Sequence, residues 1–554
     1  MTAPRTPTLS RRAVLTRWGA VAGGPALGSL LQACAPAGPS APPAPPVAPP
    51  TTGAVPPQPT AAGVAAPVSP PTTAPAAPQP ASAVKTLQFA EATEPKSYDG
   101  VSGSVLLARQ GIGQTLVRIG FDGKIEPALA TQLEPVDATT WRFTLREGVK
   151  FHNGAPLDAQ AVKASLERLA GLKDSAQGLQ GAVVTSDSPT AGRIQTRTPV
   201  AYLPALLADG AASILDRGSY GADAAITRPV GTGPFEFVEW RPGDRVVLQA
   251  HEGYWGGTPK LQNVEYRFVS QAQTRSNLVR SGEVDIANVI PATDVPVLQK
   301  ATGVSVLTNP SPRLRALYIN TQNGPTSDVR VRRALAHATD REIIVKTVLE
   351  NQGTAQAALF RAEYPWSNPN IKGLPFDRER AKALLAEAGY TQAQPLTLTL
   401  LTYNLRAELP LIAQVLQQQW AAVGINCDIS IQDYSAIETT AFKEGTHNLA
   451  LFSRSPLLVY DPQAIFETDF SSTGSYNLSR YSGLDAKIKA AGSLVDTDAR
   501  YSQYREIEQH ILEDDVAAIV ISAYINIDGV RAGVTGYRQH PTELLALTET
   551  LDKS

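Results

Sequence analysis

The feature that most narrows the fold is a change of hydrophobic period inside one short stretch. Trp141, Phe143 and Leu145 alternate with polar residues, the pattern of a strand with one buried side. Gly148 and the Asn153-Gly154 pair then turn the chain. Beyond them, Asp158 can start a helix that carries Val162, Ala164, Leu166 and Leu169. Strand, turn and helix follow from the residues alone. No nucleophile motif, phosphate loop or ligand cluster accompanies them.

Similar signals recur downstream. Val264–Val269 alternates as a strand, and Thr274–Arg280 is a helix candidate. Asp328–Ala338 reads as a helix with Val331, Leu335 and Ala338 on one face. Thr339-Asp340-Arg341-Glu342 predicts a capping box, with the Thr339 hydroxyl accepting from the N3 amide and Glu342 reaching back. Asp377–Gly389 has an aspartate cap, a ridge at Ala381, Leu384, Leu385 and Ala388, and a terminal glycine. Leu396–Leu400, Leu411–Ala422 and Ile425–Ile429 complete a strand, helix, strand series. This order supports a mixed α/β architecture.

At 554 residues the chain has room for two or three domains. Its 49 basic and 51 acidic side chains are not blocked into runs. That balance argues against a nucleic-acid partner, which needs a concentrated basic face. Cys34 and Cys427 are not expected to pair, and Cys427 reads as an inert buried thiol. The six histidines lack ligand spacing, so no metal site is expected, and His337 reads as a surface or packing residue. Gly231-Thr-Gly-Pro234 lacks the ending of a phosphate loop and reads as a tight turn into Phe235–Trp240, with a hairpin to Arg245–Gln249. Asp285 reads as structural. No hydrolase, zinc or paired-acid motif is visible, so neither enzymatic activity, a catalytic residue nor a cofactor is expected.

The order W-x-F-x-L-R-x-G-V-x-F-x-x-G-x-P-L-x-A-x-x-V, starting at Trp141, resembles the signature of bacterial extracellular solute-binding proteins of family 5, which serve peptide, opine and nickel importers. Gly123 to Ala130 and Gly231 to Phe237 carry the same resemblance, which extends over residues 87–545. It implies an α/β, two-lobed periplasmic-binding-protein fold of type II, of the large cluster with an inserted subdomain, and a hinge between lobes. The implied division is 85–123 as the first part of lobe I, 124–230 as its inserted subdomain and 231–305 as its second part. Lobe II then spans 306–515, and 516–554 returns to lobe I.

Residues 1–33 resemble an export signal. Ser10-Arg11-Arg12-Ala13-Val14-Leu15 is similar to a twin-arginine motif, and Leu30-Leu31-Gln32-Ala33-Cys34 to a lipoprotein processing box. Cys34 is the expected lipidation site; a free thiol is the alternative. Residues 35–84 carry no charged side chain and are rich in proline and alanine. With Cys34 they read as a lipid anchor and semi-rigid linker, 34–84, tethering a folded module. The expected location is extracytoplasmic, anchored to the outer face of the cell membrane or periplasmic.

The resemblance places the loop of residues 453–462 at the cleft between lobes. Its form is closest to the nickel-uptake subgroup and keeps Arg454, Tyr460, Asp461 and Pro462. It departs at Ser453 and Pro456, where that subgroup has a histidine and a tryptophan. Leu458 stands where dipeptide receptors carry an aspartate. The ligand-binding residues expected are Tyr98, Arg454, Tyr460 and Tyr524. Arg454 would grip an anionic group, and the tyrosines would supply apolar area and hydroxyls. The function implied is the solute-binding component of an ABC importer, monomeric, taking a peptide-like or other small organic solute and docking on permease and ATPase subunits. A metal-chelate receptor and a non-transport sensor or chaperone are the alternatives.

Overall fold

The computed structural model describes residues 85–172, 177–457 and 459–554. Arg11, Arg12, Cys34, the linker and Leu458 lie outside them. Among the described residues, no helix is long and apolar enough to cross a membrane.

Two long antiparallel strands, Val304–Ile319 and Ala518–Arg531, form the axis of the molecule. They pair from Val304 opposite Arg531 to Tyr318 opposite Ala518, with a register shift between Pro310 and Leu314. Pro310 and Pro312 withhold backbone donors there, so the ladder is interrupted. The core changes at the same level. Ala518 to Ile521 pack with Leu314 to Ile319 in one large apolar cluster, whereas Ile527 and Val530 belong to two others.

On one side of this axis the sheet continues through Ile286–Ala287, Thr86–Glu91, Asn263–Phe268, Arg245–Ala250 and Phe235–Arg241. On the other it continues through Leu449–Arg454, Leu396–Tyr403 and Ile425–Gln432, the last two parallel. Helix Glu408–Ala421 provides the parallel crossover and buries Leu409, Ile412, Leu416 and Trp420. Thr354–Ala355 adds a short eleventh strand.

The Trp141 stretch lies apart from this sheet. Strand Thr140–Leu145 sits inside a four-stranded antiparallel sheet, flanked by Ala130–Pro135 and Ala191–Gln195, with Val183–Ser188 at the edge. Asp158 accepts from the Ala161 amide at 2.8 Å and starts helix Ala159–Gly171, as expected. Asp377 and Asp461 also act as caps, accepting from the Arg380 and Gln463 amides. The expected capping box at Thr339 is corrected by one residue. Asp340 caps helix Arg341–Thr347 through the Ile343 amide, while the Thr339 hydroxyl donates to the Leu335 carbonyl and accepts from Trp420 Nε1. A hydroxyl already engaged by the preceding helix is not available to cap the next.

Gly231 and Gly233 are explained by close packing. A Cβ on either would overlap a carbonyl oxygen, that of Ile112 or of Gly111. Asp285 accepts from the Gln88 amide and from Lys553 Nζ, a structural role.

Candidate functional site

A cavity of about 370 Å³ opens between the two halves of the molecule. One wall comes from the loop at Tyr98, the end of helix Ala159–Gly171 and the turn at Asp209; the other from the loop after Arg454, helix Pro462–Asp469 and the segment at Tyr476. Its size falls within the range of sites for small organic ligands. Leucine side chains, among them Leu107, Leu169, Leu206 and Leu215, make much of the lining apolar.

Tyr98 is buried and lies in the cavity lining. Its hydroxyl donates to Gln110 Oε1 at 2.9 Å, and the ring packs edge-on against Trp240 and Phe237. Arg454 also lines the cavity, but its guanidinium is held from behind. Nε and Nη2 donate to the two Asp469 carboxylate oxygens at 2.9 and 2.7 Å, and the group lies 4.3 Å from the centre of the Tyr476 ring. Burial opposes its charge, yet Asp469 more than offsets this and keeps it protonated.

Tyr460 and Tyr524 lie elsewhere. Tyr460 packs edge-on against Trp366 and Tyr364, and its hydroxyl reaches the Asp122-Gly123-Lys124 turn, 2.9 Å from where a Gly123 Cβ would sit. Tyr524 is buried beneath Arg315 and Arg406, and its hydroxyl accepts from Arg406 at 2.8 Å. The first bridges the halves of the molecule; the second sits at the crossing strands, opposite the interruption at 311–313.

Three charged residues of the cavity wall have no sequence motif to announce them. Arg168 pairs with Asp99, lies over the Tyr220 ring, and also donates to the Ala224 carbonyl. The other Asp99 oxygen accepts from the Ile226 amide at 2.8 Å. Asp209 caps the turn Gly210–Ala212 by accepting from Ala211 N at 2.7 Å. Burial pushes its carboxyl up to about 6, against the lowering by that one backbone bond. Asp99 and Asp209 stand in loops that can be read from sequence; Arg168 shows only as the polar side of a helix.

Beside the cavity, Tyr202 donates across the gap to Glu467, and the Ala201 amide donates to the Gly492 carbonyl at 3.2 Å. Among the described residues, no group of three or more histidine, cysteine, aspartate or glutamate side chains is placed to hold a metal ion.

Residues 124–477 match the family described as bacterial extracellular solute-binding proteins, family 5. The chain belongs to this family. Among its family 5 relatives, the glutathione-binding protein GsiB of Escherichia coli O1:K1 / APEC is 30% identical over 308 residues, 54% of this chain. The chain spans only 59% of that relative's length. The nickel-binding protein NikA of Staphylococcus aureus is 26% identical over 435 residues, covering 78% of this chain and 87% of NikA.

The crystal structure of Staphylococcus aureus NikA in complex with Ni(L-His)2 superposes with a TM-score of 0.77 at 24% identity, over 85% of this chain and 100% of that one. AgaA from A. tumefacien R10, in complex with agropinic acid, gives 0.72 at 26% identity, over 83% and 96%. The two-lobed α/β fold of family 5 is therefore the fold of this chain. These relatives are named as binding proteins.

Proposed function

We propose that this protein is the solute-binding component of an ABC importer, capturing a peptide-like or other small organic solute in the cavity and presenting it to a membrane permease driven by ATPase subunits. The observation that carries this reading is a largely apolar hollow whose two walls belong to different halves of the chain. Such a site is completed by closure, so solute binding favours the closed population. The interruption at 310–314 and the change of core between Ile521 and Ile527 support a hinge in the crossing strands. On this reading the lobe boundaries fall inside those strands, a few residues beyond the sequence-based division at 305–306 and 515–516.

The solute-contacting residues we assign are Tyr98, Arg454 and their neighbours in the cavity wall, with Tyr460 joining the lobes and Tyr524 supporting the hinge. The twin arginines Arg11 and Arg12 would direct export, and a lipidated Cys34 would hold a monomeric receptor outside the membrane on the 34–84 tether. No catalytic step is assigned. A metal-chelate solute is the second reading, favoured by the extent of the match to NikA.

Native mass spectrometry of freshly purified protein, followed by calorimetry with a peptide panel and with nickel in the presence and absence of histidine, tests the proposal. An organic solute released on denaturation and rebinding saturably is expected. Saturable binding of the nickel–histidine chelate, with no peptide binding, would replace the first reading by the second. Absence of any saturable solute would overturn both.

A further inference from the structure

The charges around the cavity do not cancel within its walls. Arg168 is matched by Asp99, and Arg454 by Asp469. Asp209 stands differently. Among the described residues it has no cationic partner, and its polar contact is the backbone amide of Ala211 on one carboxylate oxygen. The carboxylate is partly buried on the cavity wall, in a lining where leucine and tyrosine side chains alternate with serine hydroxyls and where the other charges are paired. An uncompensated charge in such surroundings is costly, and a ligand of opposite charge relieves the cost.

Resting on the solute-binding reading above, we propose that the site selects a solute carrying a positively charged nitrogen, an ammonium or amidinium held by Asp209, on an apolar body that fills the leucine- and tyrosine-lined remainder. The wall opposite is consistent with this. Arg454 is neutralised by Asp469 and contributes little net attraction for an acid. A solute whose only charge is a carboxylate would meet an unpaired carboxylate at Asp209 and no unpaired cation among these groups. The Asp209 cap supplies a firm mount, since the backbone bond fixes one oxygen and leaves the other for the ligand.

The test uses three matched probes in calorimetry at pH 7.5 with the full chain, cleared of co-purified solute. They are phenylalanyl-leucine amide, which is cationic, phenylalanyl-leucine, a zwitterion, and N-acetyl-phenylalanyl-leucine, an anion. The cationic probe is expected to bind about tenfold or more tightly than the anion, the scale of one charged hydrogen bond. Asp209→Asn, which keeps the capping oxygen, removes that preference. Asp209→Ser, which also caps, does the same, and thermal midpoints no lower than the parent's for both confirm intact folding.

Equal affinity for cation and anion, or an unaltered preference in both variants, overturns the proposal. If none of the probes binds, the co-purified solute decides. A cationic solute weakened by Asp209→Asn supports the assignment, and any other solute overturns the charge assignment but leaves the binding function intact. Absence of solute by every measure overturns both.

Discussion

The Tyr202 hydroxyl lies 2.9 and 3.1 Å from the two carboxylate oxygens of Glu467, joining the two halves of the chain beside the cavity. Glu467 is otherwise held by Gln463, and burial raises its carboxyl pKa above the ordinary value despite these hydrogen bonds. The contact exists only when the halves are close together, so it adds to the free energy of closure. Tyr202→Phe removes one hydrogen bond, about 1 kcal/mol. A few-fold loss of solute affinity, with the circular dichroism unchanged, is the expected result; unaltered affinity in calorimetry would exclude a role in closure.

Arg454→Ala should act on stability before it acts on binding. Asp469 is fully buried, and removing its partner strands a carboxylate, a change of about 3–5 kcal/mol. Asp469→Asn in the same chain should recover part of the loss, because the stranded charge is gone. Urea unfolding of the two single variants and the double variant measures this coupling directly.

Glu508 makes stability depend on pH. Its side chain is completely buried; one oxygen accepts from the Leu359 amide and the other has no hydrogen-bond partner among the described residues. Burial pushes its carboxyl up from the ordinary 4.5 to about 8. The folded state therefore keeps its proton where the unfolded chain has lost it. Stability contributed by this proton is present in full below 4.5, falls as pH rises toward 8, and is level above that. Glu508→Gln should abolish this part of the slope, so that its unfolding midpoint relative to the parent rises steadily between those two pH values. A parallel pair of midpoint curves would refute the assignment.

Cys427 should be chemically silent in the folded protein. It is buried, and its thiol is pushed up to about 12 by burial, so little thiolate exists near neutrality. A thiol reagent at pH 8 is expected to modify Cys427 only after denaturant is added. Peptide mapping locates the label, and rapid modification of Cys427 in native protein would contradict the packing described.

Local chemistry is legible where the partners are neighbours in sequence. The Asp158, Asp377 and Asp461 caps each need an amide only two or three residues away, and all three can be read directly. Thr339 misleads because Trp420, far along the chain, and Leu335 in the preceding turn compete for the same hydroxyl. Tyr98 and Arg454 are recognisable as cavity residues from the family pattern around them. Tyr460 and Tyr524 belong to equally suggestive segments, yet their hydroxyls are turned to Gly123 and Arg406.

The residues alone determined the mixed α/β character, the strand–turn–helix order after Trp141 and the family resemblance, because hydrophobic period and capping depend on near neighbours. Tertiary structure decided which charges meet. Asp99 was brought to Arg168 and Asp469 to Arg454, while Asp209 was left in the wall without a cation among the described residues. Electrostatic pairing depends on distance through space and on exclusion of water, and neither is written in the spacing along the chain.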